Sequence, residues 1–290
     1  MISRRDAPQW VKESGRTAVR TVGRLTTELR VRPDFLMVGT QRGGTTSLFR
    51  SLAEHPGIVQ PNFHKGVHYF DVNYHRGPRW YQGHFPTRAA ARRRAEGTTD
   101  RPLAFESAGY YMHHPLAPER IARDLPGVKL LVLLRDPVER AFSAHKHELA
   151  RGFETESSFE KALELEESRL AGEVDRIRAD HRYLSHGHRH HSYVDRGRYA
   201  DQVERLFALF GRERVLVLFA EDFFAEPEPH YDRILDFLGL PHRRPARFER
   251  HNARPGSPMP EAVRARLTEH FEPYDTRLAE LLGEVPAWRR

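Results

Sequence analysis

Residues 35–47 read Phe35-Leu36-Met37-Val38-Gly39-Thr40-Gln41-Arg42-Gly43-Gly44-Thr45-Thr46-Ser47. The apolar run Phe35–Val38, entered through Pro33-Asp34, predicts a buried strand. Leu48, Phe49 and Leu52 then recur at helical spacing up to the stop at His55-Pro56-Gly57. Strand, glycine-rich turn and helix in this order make an anion site. Glycines let successive backbone N–H groups curl round a phosphate, and the helix N-terminus adds its unpaired donors. The spacing from Gly39 is that of a Walker A loop with Thr45 in the lysine position. Hydroxyls of Thr45, Thr46 and Ser47 remain as donors, and a cation stands upstream at Arg42. The expected ligand is an anion smaller than a triphosphate, bound without magnesium.

Further along, Lys129-Leu130-Leu131-Val132-Leu133-Leu134 is a continuous apolar run of the kind a parallel sheet buries on both faces. It ends at Arg135-Asp136-Pro137, and a helix is predicted from Val138 through Glu148. Val215–Phe219 reads as another buried strand, Ile58-Val59 as a short one, and Phe105–Tyr111 as a weak strand or loop. Helical periodicity marks Pro118–Asp124, Ser158–Leu170, Tyr199–Phe210, Tyr231–Leu238 and Glu261–Leu282, while residues 73–101 read as a polar connection with helical pieces. The alternation predicts an α/β, P-loop-like three-layer fold with a central, mainly parallel sheet flanked by helices. One domain is expected over residues 33–290, preceded by a basic N-terminal extension, residues 1–32.

Of the 290 residues 39% are hydrophobic, enough for a sizeable core, and the net charge of +7 favours an anionic partner. Nucleic acid is disfavoured because the arginines are scattered rather than interleaved with aromatics along one stripe. The absence of cysteine excludes disulfides and thiolate metal sites and suits a cytoplasmic location. No apolar stretch approaches the roughly 20 residues of a membrane span. The basic N-terminus lacks the apolar core of a secretory signal, which leaves peripheral contact with a membrane or a neighbour as its possible use. Oligomeric state has no signature.

The segment from Phe35 to Ser47 resembles the 5′-phosphosulfate loop of sulfotransferases that use 3′-phosphoadenosine-5′-phosphosulfate (PAPS). A second match, Leu133-Leu134-Arg135-Asp136-Pro137-Val138-Glu139-Arg140-Ala141-Phe142-Ser143, is similar to that family's 3′-phosphate element. The resemblance implies that Gln41, Arg42, Gly43, Gly44, Thr45, Thr46 and Ser47 hold the 5′ end of PAPS. It implies that Arg135 and Ser143 grip the 3′-phosphate. An arginine fork bonds a phosphate bidentately, and a serine adds a neutral donor. Residues 196–199, Arg-Gly-Arg-Tyr, look like a stretch of bacterial members and place Tyr199 with the donor-binding residues. The loop Asn252-Ala253-Arg254-Pro255 sits where the family closes over the nucleotide, which adds Asn252 and Arg254. The donor is PAPS, the product PAP, and no metal is implied.

Lys65-Gly66-Val67-His68-Tyr69-Phe70-Asp71 is similar to the Lys-Glu-Val-His-Phe-Phe-Asp segment of heparan sulfate 3-O-sulfotransferases, and Glu106-Ser107 to their Glu-Lys pair. In-line sulfuryl transfer needs the donor held, the leaving phosphate stabilised and the acceptor's proton removed. Arg42 and Lys65 suit the second task. For the third, the family's glutamate is replaced by Gly66 and its lysine by Ser107, so a heparan-type acceptor does not follow. The remaining bases are His68, first because imidazole titrates near neutrality, then Glu106, with Asp71 and His64 behind. The acceptor is expected to be carbohydrate-like, a glycolipid or a small molecule, sulfated on a hydroxyl or an amine. The histidines of residues 181–191 read as a flexible polar loop beside its pocket rather than a metal site. Two rival readings stand: a nucleotide kinase or NTPase, and a PAPS-fold anion-binding protein without catalysis.

Overall fold

The structure, a computed structural model, describes residues 23–249 and 258–290. Five strands form one all-parallel sheet: β1 (Phe35–Gly39), β2 (Ile58–Val59), β3 (Leu103–Ser107), β4 (Lys129–Leu134) and β5 (Val215–Phe219), in the order β2-β3-β1-β4-β5. The strands are apolar on both faces because helices cover both. Leu36, Val38, Leu130, Val132 and Leu134 point into one core, and Phe35, Met37, Leu131 and Leu133 into the other.

Helices α1 (Thr45–Glu54), α2 (Ala117–Asp124), α3 (Pro137–Arg151), α4 (Tyr199–Phe210), α5 (Pro227–Leu238) and α6 (Glu261–Leu282) supply the outer layers. Leu48 and Leu52 of α1 pack with Tyr231 and Leu235 of α5 on the second face; Ile121 of α2, Val203 and Leu206 of α4 and Leu278 of α6 pack on the first. Asp136 caps α3, accepting from the Val138 N–H at 2.9 Å, with Pro137 opening the first turn. Because β1 lies between β3 and β4, the chain segments leaving all three carboxyl ends meet at one crevice, the ligand position of open α/β sheets.

Three expectations shift. The weak segment after Leu103 is a full strand, β3; its polar Glu106 is 0% exposed and is satisfied by tyrosine hydroxyls. Ser158–Leu170 breaks at Leu165 into Phe159–Glu164 and Glu166–Leu170, because Glu166 turns inward to accept the Val194 and Asp195 N–H groups at 2.8–2.9 Å. Residues 73–101 are less polar in place than in sequence, burying Trp80, Tyr81 and Phe85. The lead-in assigned to residues 1–32 packs on the domain over its described part: Thr27 and Arg30 are buried, and Arg30 pairs with Thr87. No helix of the described residues is long and apolar enough to cross a membrane.

Candidate active site

The turn after β1 wraps close under β4. The Thr40 N–H donates to the Leu133 carbonyl at 2.9 Å, and the Gly43 N–H closes back on Thr40 at 3.1 Å. Gly44 caps α1 at φ +86°, where a Cβ would stand 2.6 Å from the Phe224 ring. Left-handed backbone and lack of room both require glycine here. Gly44→Ala is therefore expected to weaken binding of PAP at least tenfold and to lower the melting temperature, read by calorimetry and thermal unfolding. Unchanged binding would show that the turn does not need this conformation.

Lys65 enters from the segment between β2 and β3. Its Nζ donates to Thr45 Oγ1 at 3.0 Å and Thr46 Oγ1 at 3.3 Å, at the N-terminus of α1. A lysine thus stands over the loop although the loop has none of its own. Burial, with the Arg42 charge second, lowers its pKa to about 7.

The two elements expected from the sequence to bind phosphate are joined. Arg42 Nε donates to Ser143 Oγ on α3 at 3.1 Å, and Arg135 Nη1 donates to the Arg42 carbonyl at 3.2 Å. Gln41 Nε2 donates to Glu148 Oε1, also on α3, at 3.1 Å. The Arg135 side chain is 32% exposed, and its Nη2 forms an ion pair with Glu139 Oε2 at 3.7 Å. Tyr199 is buried and donates its hydroxyl to the Arg135 carbonyl at 2.8 Å. It braces the arginine from behind rather than facing the crevice. Asn252 and Arg254 lie outside the described residues.

Arg42 and His68 are, among the described residues, the two non-glycine residues with positive φ, +70° and +55°. Such backbone persists where surrounding structure fixes it and concentrates at functional sites. His68 is fixed by its N–H donating to Glu106 Oε1 at 3.0 Å and by its carbonyl accepting from the Asn73 N–H and the Asn73 side chain, both at 3.0 Å. Its Nδ1 meets Asp71 Oδ2 at 2.7 Å, and the side chain is 35% exposed. Asp71 is buried and held below the ordinary carboxylate range: burial opposes its charge, but the His68 contact outweighs it. Burial likewise works against the imidazolium, yet the Asp71 charge and hydrogen bond prevail and raise the His68 pKa. His68 and Asp71 thus form a histidine–carboxylate pair, an arrangement able to accept a proton at the second ring nitrogen.

Glu106 has another task. Its Oε1 accepts from the Val67 N–H at 2.6 Å, the His68 N–H and the Tyr111 hydroxyl at 2.8 Å; its Oε2 accepts from the Tyr81 hydroxyl at 2.6 Å. Burial raises its pKa against those bonds. A carboxylate so enclosed sets the backbone that carries His68 and is not presented to an acceptor. Gly66 permits the close packing of that backbone: a Cβ there would lie 2.7 Å from the Ser107 carbonyl and 3.3 Å from His68 Nε2.

The histidine stretch is not a loose loop but an ordered turn, Gly187–His191, wound as a π-helix. His188 Nδ1 meets the Tyr110 hydroxyl at 2.7 Å, His190 Nδ1 meets Glu148 at 2.8 Å, and His186 and His191 bond the Phe153 carbonyl. Spacing alone gave no sign of this turn; the signal lay in the acid and carbonyl partners that only tertiary structure supplies. His113, His188 and Asp195 lie close enough for a metal to be considered. The His113 and His188 rings stack at 4.4 Å and 14°, so their in-plane lone pairs run side by side instead of converging. Burial, and after it the charges of His188, Arg196 and Arg140, keep His113 well below its ordinary pKa.

A family model described as a sulfotransferase domain matches residues 32–253. A sulfotransferase structure from Alicyclobacillus acidocaldarius is 31% identical, with a TM-score of 0.65 over 90% of this chain and 100% of that one. The human bifunctional heparan sulfate N-deacetylase/N-sulfotransferase 3 is 28% identical over 89% of this chain, which spans 31% of that relative's length. The mouse heparan sulfate glucosamine 3-O-sulfotransferase 6 is 26% identical, with 88% of this chain and 73% of the relative covered.

Proposed function

This chain belongs to the sulfotransferase domain family, and from that premise we propose that it transfers a sulfuryl group from PAPS to a hydroxyl or amine of a carbohydrate-like, glycolipid or small-molecule acceptor, releasing PAP. One observation carries the reading: two phosphate grips, the β1 turn with Lys65 and the Arg135–Ser143 element, are bonded to each other through Arg42. The pair suits a ligand with phosphates at both its 5′ and 3′ positions. Binding without metal is supported by a lysine standing with the Thr45 and Thr46 hydroxyls at the turn, and by Asp136, the acid after β4, being engaged in capping its own helix. That engagement also disfavours a kinase or NTPase, in which an acid at this point would hold magnesium.

The donor supplies the sulfuryl group, which leaves its 5′-phosphate oxygen as the acceptor oxygen or nitrogen bonds to sulfur from the opposite side. His68 Nε2 receives the acceptor's proton, and Asp71 holds the Nδ1–H and steadies the imidazolium. Lys65, Arg42 and the N–H groups of the turn stabilise the charge that the phosphate gains. Arg135 and Ser143 fix the far end of the donor and so its alignment. The cysteine-free composition accords with work in the cytoplasm.

Calorimetry tests the donor. PAP is expected to bind without metal, and Arg135→Ala to weaken it by about 1.5–3 kcal/mol, the usual worth of a charge-assisted contact. Binding of ATP with magnesium in place of PAP would move the chain to the nucleotide kinases.

A further inference from the structure

We propose that Glu148 is a positioning residue that ties the β1 turn to the histidine turn, so that filling the donor site orders the acceptor side; the proposal rests on the reading of the β1 turn as the donor site.

Glu148 lies on α3 beyond Ser143, and its side chain is 2% exposed. Its two oxygens serve two different segments. Oε1 accepts from Gln41 Nε2 in the β1 turn at 3.1 Å, and Oε2 meets His190 Nδ1 in the turn Gly187–His191 at 2.8 Å. A carboxylate offers acceptors only, so His190 carries a proton on Nδ1. Burial opposes the charge of Glu148, but the His190 bond, and after it the charges of His190, His147 and Arg196, outweigh burial and hold the acid below its ordinary pKa. The Phe153 ring closes over His190 with centroids 4.2 Å apart. An ionised, enclosed acid held between two turns has no face left for a substrate. Its use lies in placing its partners.

Each end of the tie leads to a different half of the site. Gln41 precedes Arg42, whose backbone stands at φ +70° and whose side chain reaches Ser143 at 3.1 Å. An anion held by the N–H groups of the β1 turn fixes this backbone, and Gln41 with it. On the other side, His188 Nδ1 meets the Tyr110 hydroxyl at 2.7 Å. The neighbouring Tyr111 hydroxyl accepts from the Tyr69 N–H at 2.8 Å, and its ring stands edge-on to His68 at 6.3 Å. The histidine turn is therefore linked to the segment that carries the proposed base. Binding that orders one end of a tied pair lowers the cost of ordering the other. Donor-bound protein then presents a firmer acceptor side than free protein, and by linkage the acceptor tightens the donor in equal measure.

The test uses the full chain, with PAP as the probe. Amide hydrogen exchange over residues 187–192 is followed with and without saturating PAP, and calorimetry checks that each variant binds the nucleotide. In the wild type PAP is expected to slow exchange over the turn roughly tenfold, within the usual span of coupling between sites. Glu148→Met keeps the bulk and removes both acceptors; it should bind PAP and lose the slowing. His190→Ala should lose it likewise. His190→Asn, whose amide N–H takes the place of Nδ1–H, should keep it, a contrast that a general loss of stability does not produce. This histidine pair carries the test if Glu148→Met does not fold. Wild-type protein that binds PAP without the slowing, or slowing that persists in Glu148→Met or His190→Ala, overturns the proposal. Absence of PAP binding in the wild type sinks the donor reading instead, and the tie is then judged without ligand. Gln41→Met must speed exchange over the turn when Glu148 is present and leave it unchanged when combined with Glu148→Met; any other result overturns the tie as well.

Discussion

Lys65→Met lowers the single-turnover rate of sulfuryl transfer by roughly 10²–10³-fold, the usual consequence of removing a preorganised donor from a developing anion. The expectation rests on where Nζ lies, held between Thr45 Oγ1 and Thr46 Oγ1 above the first turn of α1. Methionine keeps the packing against Phe49, whose ring centroid is 5.9 Å from Nζ, and removes the charge. The lysine also sets one arm of the pH profile. Its pKa of about 7 in the free protein means that the ammonium is present below that pH and lost above it. The second-order rate constant for PAPS should therefore fall as pH rises through about 7, and that alkaline limb should vanish in Lys65→Met. A variant that retains wild-type single-turnover rates would remove Lys65 from the mechanism and leave it as packing beneath the loop.

His68→Ala is expected to cost roughly 10²–10⁴-fold in turnover with little change in PAP affinity, the range for loss of a positioned general base. The accompanying pH signature has the opposite sign to that of Lys65. A base must be neutral, and the His68 pKa is raised by Asp71, so activity should fall as pH drops through that raised value. Asp71→Asn withdraws the charge that raises it; the acid limb should then move to lower pH while the plateau rate falls, because the imidazole loses its orienting partner. Rate against pH for wild type and Asp71→Asn tests this directly. An acid limb that stays in place would shift the role of base to another group. His64 would be the next residue to examine, since both oxygens of Glu106 are occupied.

The strand–turn–helix segments proposed to hold the donor were readable in the chain because their pattern is local. A glycine turn between strand and helix, and an arginine ending an apolar run, each fall within about ten residues. Their assembly needed only the rule that parallel strands gather their carboxyl ends. The acceptor half was less legible because its residues act through partners far along the sequence. Glu106 looks like a spare acid until Tyr81 and Tyr111 close on it across 25 and 5 positions. Tyr199 resembles a ligand residue, and only the fold turns its hydroxyl to the Arg135 carbonyl. The histidine stretch has no periodicity to read. Its order comes from Glu148, Phe153 and Tyr110, 33 to 78 positions away.

Gly66 sets a constraint on how such enzymes can be interconverted. The related 3-O-sulfotransferase segment resembled here has glutamate at this point, but in this chain even a methyl group would press to 2.7 Å against the Ser107 carbonyl at the end of β3. Gly66→Glu therefore cannot simply be added beside the proposed base; it must displace the strand end, His68, or both. The two ways of removing a proton are alternatives rather than neighbours on a single-substitution path. Any lineage or library crossing between them has to alter residue 66 and the backbone near Ser107 together, with the intermediate sequences poor at either chemistry.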